Sequence, residues 1–207
     1  MADLNATYGH KFLRQNIDVV GSYALTLATS LYNMFQPKSV IDMGSGAGCI
    51  INGFATYGIE CVAVDGSESC KLLLKPGVRF VQHDFRKPFI GLKKFDLVIC
   101  FEVMEHIVSQ CGHVLLDGLR TLTGSILAFT ACPLQYTHHV NMRPRDYWID
   151  RLKERGFDYK KDLTAVLQKG WQHAGVVPNY PDSLIICSRD FTKPRSEWEN
   201  VNEVTPF

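Results

Sequence analysis

The chain has little net charge, no long apolar run and no paired-cysteine motif. Its 207 residues carry 22 Lys and Arg against 21 Asp and Glu, a formal net charge of +1. No global field therefore draws it toward nucleic acid or an anionic membrane surface. No stretch approaches the roughly 20 apolar residues of a membrane span. The first residues, Met1 to Asn5, lack the basic-then-apolar layout of a secretory signal, so a cytoplasmic protein is expected. The cysteines are Cys49, Cys61, Cys70, Cys100, Cys111, Cys132 and Cys187, scattered and odd in number. This argues against a disulfide frame or a closed zinc site and for reduced, mostly buried thiols. Repeats and low-complexity tracts are also absent. The length suits one domain over residues 1–190, followed by a polar tail at 191–207.

What is present is a regular alternation of strand and helix patterns. Val19–Phe35 has helical apolar spacing, stopped by Pro37. Strands are expected at Ser39–Asp42, Glu60–Val64, Arg79–Gln82, Phe95–Cys100 and Gly124–Thr130, with a last one at Ser183–Ser188. Phe157–Tyr159 is a weaker candidate. Helices are expected at Cys49–Tyr57, Glu68–Leu74, Ile107–Thr121, Pro144–Arg155 and Asp162–Trp171. This order predicts an α/β fold with a parallel sheet covered on both faces. Ligands in such sheets sit beyond the carboxyl ends of the strands. Asp42, Asp65, Asp84 and Glu102 all fall at that edge.

The first strand runs into Gly44-Ser45-Gly46-Ala47-Gly48. Alternate glycines permit a sharp turn and close ligand approach, and a following helix aims its amides at the same place. An acid at the end of the second strand, Asp65, suits a ribose diol. Two cofactor classes use that arrangement. A dinucleotide requires a third small residue where this chain has Cys49. S-adenosylmethionine has no phosphates, and its methionyl ammonium suits Asp42. Asp84 beside Phe85 suits an adenine amino group against an apolar wall.

Together these segments resemble the class I S-adenosylmethionine-dependent methyltransferases. Four motifs carry the resemblance, in the expected order: Val40–Gly48, Val62–Ser67, Val81–Phe85 and Phe95–Ile107. It implies a Rossmann-like, seven-stranded, mostly parallel sheet with helices on both faces and an antiparallel last strand. It also implies that Gly44, Ser45 and Gly46 line the methionine portion. Asp65, with Gly66 and Ser67, would hold the ribose. His83, Asp84 and Phe85 would hold the adenine, and Phe101-Glu102 the cofactor's inner side. Residues 1–36 would form a helical cover over the pocket.

Opposite the cofactor, Glu102-x-x-Glu105-His106 follows the fourth strand and His138-His139 follows the fifth. Residues three and four apart share a helical face, so these groups are expected to converge. Glu105, His106, His138 and His139 are the candidate catalytic residues, with a histidine as base. A divalent metal is an alternative that the sequence does not favour. The motif resembles the metal sites of ubiquinone-pathway O-methyltransferases and small-RNA 3′-terminal 2′-O-methyltransferases. The expected reaction moves a methyl group to oxygen or nitrogen, with a small-molecule acceptor favoured over an RNA cap or ribose. A binding-only relative and an NAD-dependent oxidoreductase are the readings from other classes. Neither a membrane nor an obligate protein partner is indicated.

Overall fold

Strand β1 (Ser39–Met43) is buried along its whole length, as a strand with neighbours on both sides and helices on both faces must be. It pairs in parallel with β2 (Glu60–Asp65) and β4 (Phe95–Cys100). The computed structural model describes residues 9–189, so the tail at 191–207 lies outside them. Within them, β3 (Val78–Gln82), β5 (Thr123–Phe129), β6 (Phe157–Tyr159) and β7 (Ile185–Arg189) complete seven strands in the order β3-β2-β1-β4-β5-β7-β6. β7 is antiparallel to both β5 and β6, while the β1–β5 pairings are all parallel. The expected doubly covered, Rossmann-like sheet with an antiparallel last strand is borne out.

Two cores follow from the period-two alternation of the strands. On one face Ile41, Val62 and Val98 pack with Leu115 and Leu119 of α4 (Ser109–Leu122) and Trp148 of α5 (Arg145–Lys153). On the other, Val40, Ala63 and Leu97 meet α2 (Ala24–Phe35), α3 (Cys49–Phe54) and α6 (Lys161–His173) through Leu27, Phe54 and Trp171. Burying one such large side chain contributes about 1.5–3 kcal/mol. The Trp171 indole donates to Ser30 Oγ at 2.7 Å, pinning α6 to α2.

Some element boundaries differ from the expected ones. The Val19–Phe35 helix is divided: α1 (His10–Val20) ends before Gly21, and α2 starts at Ala24. α1 carries five apolar residues among its eleven and begins well ahead of the expected start at Val19. Residues 104–106 form a separate 3₁₀ turn, and α4 begins only at Ser109. The weak candidate β6 is a real edge strand, held by β7. A short α7 (Asn179–Ser183) then delivers the chain to β7.

Candidate active site

The glycine turn hangs from the end of β2. Gly44 and Ser45 donate backbone N–H bonds to Val64 O at 2.8 and 3.0 Å. Gly44 has φ +88° and Gly46 φ +52°, values that glycine adopts without strain. A Cβ on Gly44 would lie 2.2 Å from Val103 Cγ2, so β1's turn and the segment after β4 touch directly. Asp65 closes the turn. Its Oδ2 accepts from Gly46 N and its Oδ1 from Ser67 N, both at 2.9 Å. Asn16 of α1 accepts from Ala47 N at 3.3 Å.

A cavity of about 430 Å³ opens beyond the strand ends, within the ~300–1,000 Å³ typical of small-molecule sites. Asp42, Gly44, Ser45, Gly46, Asp65 and Gly66 line one end. His83, Asp84 and Phe85 line the side past β3. Phe101, Glu102, His106 and His138 line the remainder. Ser67 and Glu105 are fully buried behind the wall, and Ser67 acts through its amide on Asp65.

The cavity is rich in carboxylates whose surroundings differ. Asp42 is enclosed, and burial, with Asp65 nearby, raises its pKa to about 7. Asp84 goes the other way. Arg86 grips it through Nε to Oδ1 and Nη2 to Oδ2, both at 2.8 Å, and this pairing lowers its pKa. Glu102 has a positive φ of 56° and accepts from Asn179 Nδ2 at 2.6 Å. Burial raises Glu102, opposed by hydrogen bonds from Asn179 and Thr130. Burial also lifts Glu105 well above the ordinary carboxyl range, helped by Glu102.

The histidines converge from two loops. Ligand atoms of Glu105, His106 and His139 lie within 4.8 Å of one another. His106 Nδ1 lies 3.2 Å from His138 O, and His139 Nδ1 lies 2.8 Å from Leu134 O. A carbonyl can only accept, so each Nδ1 carries the proton and each Nε2 is the basic nitrogen. Burial, then His139, lowers the His106 pKa to about 4. Backbone N–H groups of Val140 and Asn141 donate to Glu105 O at 2.8 and 3.1 Å, which fastens the second loop to the first. His138, with φ +71°, lines the cavity but stands outside the trio. Glu102 also stands outside it.

A family model described as a methyltransferase domain matches residues 12–124, more than half of the chain. The chain belongs to this methyltransferase family. The domain is 27% identical over 115 residues to a ubiquinone biosynthesis O-methyltransferase of Rickettsia felis, covering 49% of this chain and 47% of the relative. The chain thus spans about half the length of that relative. Among solved structures, it resembles a chain of the Haloferax volcanii complex containing the Trm112 methyltransferase activator. The TM-score is 0.63 and the identity 14%, over 92% of this chain and 99% of that one. Magnesium protoporphyrin IX methyltransferase of Synechocystis PCC 6803, with bound S-adenosylhomocysteine, gives 0.57 and 18%, over 75% and 83%. At such identities the likeness is one of fold.

Several lining residues of the methyltransferase domain carried no sequence signal of their own. Asn16 comes from α1, Arg86 from the loop after β3 and Tyr180 from α7. Asn179 and Tyr180 lie beyond the matched residues. An Asn-Tyr-Pro step in a polar loop is ordinary turn chemistry until a fold places it.

Proposed function

We propose that this chain is an S-adenosylmethionine-dependent methyltransferase acting on an oxygen or nitrogen atom of a small molecule. One observation carries the reading: a single cavity joins the Asp65-anchored glycine turn to Glu102 and His106. S-adenosylmethionine supplies the methyl group on a sulfonium centre. The site suits that group. Asp65 is a fixed carboxylate with further lone pairs for a ribose diol. Asp42 and Glu102 are buried acids at the cationic end. Asp84 and Phe85, with His83, form the adenine end, where Arg86 orients the carboxylate. Asn16 and Val20 line the cavity from α1, which supports residues 1–36 as its cover.

The chain's own work is alignment, exclusion of water and removal of a proton. His106 is neutral at ordinary pH, and its Nε2 can accept the acceptor's proton. His139, which does not line the cavity, packs edge-on against His106 from the opposite loop, and His138 lines the cavity. Glu105, buried behind them, anchors the two loops through its carbonyl, which accepts from Val140 and Asn141. The compact Glu105–His106–His139 trio also supports a second reading, a divalent cation bound there. The Rickettsia felis relative's name favours a small acceptor over RNA. Among the described residues no helix is long and apolar enough to cross a membrane, and a cytoplasmic location is part of this proposal.

Calorimetric titration with S-adenosylhomocysteine and with NAD tests the cofactor class. Binding of the first and not the second is expected; the reverse overturns the reading. A screen of catechols, amines and RNA oligonucleotides, followed by radiolabelled methyl transfer, then identifies the acceptor. Transfer to RNA alone would replace the small-molecule reading.

A further inference from the structure

α7 brings Asn179 against a residue 77 positions earlier in the chain, Glu102. The amide of Asn179 donates to Glu102 Oε2 at 2.6 Å. The Glu102 backbone is also fixed: its N–H bonds to Thr130 Oγ1 at 3.0 Å, and its φ is +56°. The other carboxylate oxygen, Oε1, is buried and has no hydrogen-bond partner. Glu102 lines the cavity between Phe101 and Val103, and Tyr180 closes the wall beside it with an edge-on ring against Phe101. A buried carboxylate oxygen without a donor is costly unless a ligand, reached by a small turn of the side chain, supplies the missing interaction.

The position of the segment narrows what the ligand supplies. Val103 packs on Gly44, so the 102–103 segment lies against the glycine turn. Asp42, at the end of β1, lines the same end of the cavity and is the acid proposed for the ammonium. The cofactor's ammonium persists after methyl transfer, so an acid that serves it treats substrate and product alike. The sulfonium charge alone disappears when the methyl leaves.

We propose that Asn179 is a positioning residue that holds Glu102 as the counter-charge of the sulfonium, so that the site prefers S-adenosylmethionine over S-adenosylhomocysteine. This rests on the proposed cofactor. Loss of the charge on transfer then weakens the product's hold at Glu102 while its other contacts remain, which favours exchange for fresh cofactor. The apolar and aromatic walls strengthen the discrimination, because a charge pair interacts more strongly where water is excluded.

The test is the ratio of two dissociation constants, measured by calorimetry without any acceptor. Glu102→Gln removes the charge at nearly constant volume, and the Asn179 amide can turn to meet it. It is expected to weaken S-adenosylmethionine by about tenfold or more, in line with a charged contact, and S-adenosylhomocysteine by less than threefold. Asn179→Ala is expected to shift the ratio in the same direction by a smaller factor. Thermal melts check that each variant is folded, and Glu102→Gln decides the matter if Asn179→Ala is not. Equal losses for both ligands, or an unchanged ratio, overturn the proposal. If wild-type protein binds neither ligand, the cofactor reading itself fails, a result distinct from an unchanged ratio.

Discussion

Asp65 Oδ2 accepts the Gly46 amide at 2.9 Å, binding the end of β2 to the middle of the glycine turn. The same carboxylate holds Ser67 N through Oδ1. An acid proposed for cofactor recognition thus also shapes the loop that recognises it. Asp65→Ala is expected to weaken S-adenosylhomocysteine by about 1.5–3 kcal/mol. Two backbone amides also lose their acceptor, so the melting temperature should fall with the affinity. Calorimetry and thermal melts on one preparation measure both, and wild-type affinity in the variant would remove Asp65 from the site.

Gly44→Ala probes the contact of the turn with Val103 and the turn's backbone conformation together. The new methyl would meet Val103 Cγ2 at 2.2 Å, on a backbone with φ +88°. Overpacking of this kind costs about 1–3 kcal/mol, and the positive φ adds to it. Urea denaturation should show the loss. Shaving Val103 in the same chain should relieve the clash but not the backbone strain. Unchanged stability of the single variant would mean that the turn and the segment after β4 are not in contact.

Asp42 gives the empty protein a pH dependence. Its folded pKa of about 7 is raised above the ordinary 3.8. The folded state therefore binds this proton more tightly than the unfolded state. The associated stability is fully present below the ordinary value and is lost as pH rises through about 7. Asp42→Asn removes that loss. The variant's melting temperature should gain on wild type between pH 5 and pH 8, by an equivalent of a few kcal/mol at most. Its affinity for S-adenosylhomocysteine should drop, since the ammonium loses an acid. A difference between the two proteins that stays constant with pH would contradict this.

The Glu105–His106–His139 trio separates into base and ligand by experiment. With His106 as base, the acidic limb of the pH–rate profile should lie near pH 4, because burial and His139 depress its pKa. Turnover should then resist chelators, and His106→Ala should abolish that limb. With a bound cation, a chelator should abolish turnover and added magnesium or manganese should restore it. Near wild-type turnover in His106→Ala, His138→Ala and His139→Ala would leave alignment alone as the source of catalysis.

All seven cysteines are unpaired. Burial pushes the Cys61 and Cys187 thiols up to about 12, far from the reactive thiolate. Only Cys49 and Cys111 are partly exposed, and Cys49 lines the cavity. Native thiol labelling should therefore reach these two first, and S-adenosylhomocysteine should protect Cys49 selectively. Mass spectrometry of the native protein should find no disulfide. Rapid labelling of Cys61, or protection of Cys111 alone, would count against this placement of the cavity.

The alternation of short apolar runs with helical spacing determined the sheet and its two covering layers, because period two and period 3.6 are local properties of the chain. The acids at the strand ends were legible for the same reason: a parallel sheet puts those ends on one edge, so Asp42, Asp65 and Asp84 belong together before any contact is known. A helical cover was expected over residues 1–36, but not the break at Gly21 that makes α1 a separate helix. Its place over the glycine turn depends on Asn16 meeting Ala47, a tertiary contact. The Arg86 clamp on Asp84 required a side-chain conformation. The separation of Glu102 from Glu105 and His106 required a backbone one, since a 3₁₀ turn and a positive φ replace the helical turn that the spacing suggests. Asn179 illustrates the general limit. Nothing local marks it, because its partner lies 77 residues away and only the return of the chain through α7 to β7 brings the two together.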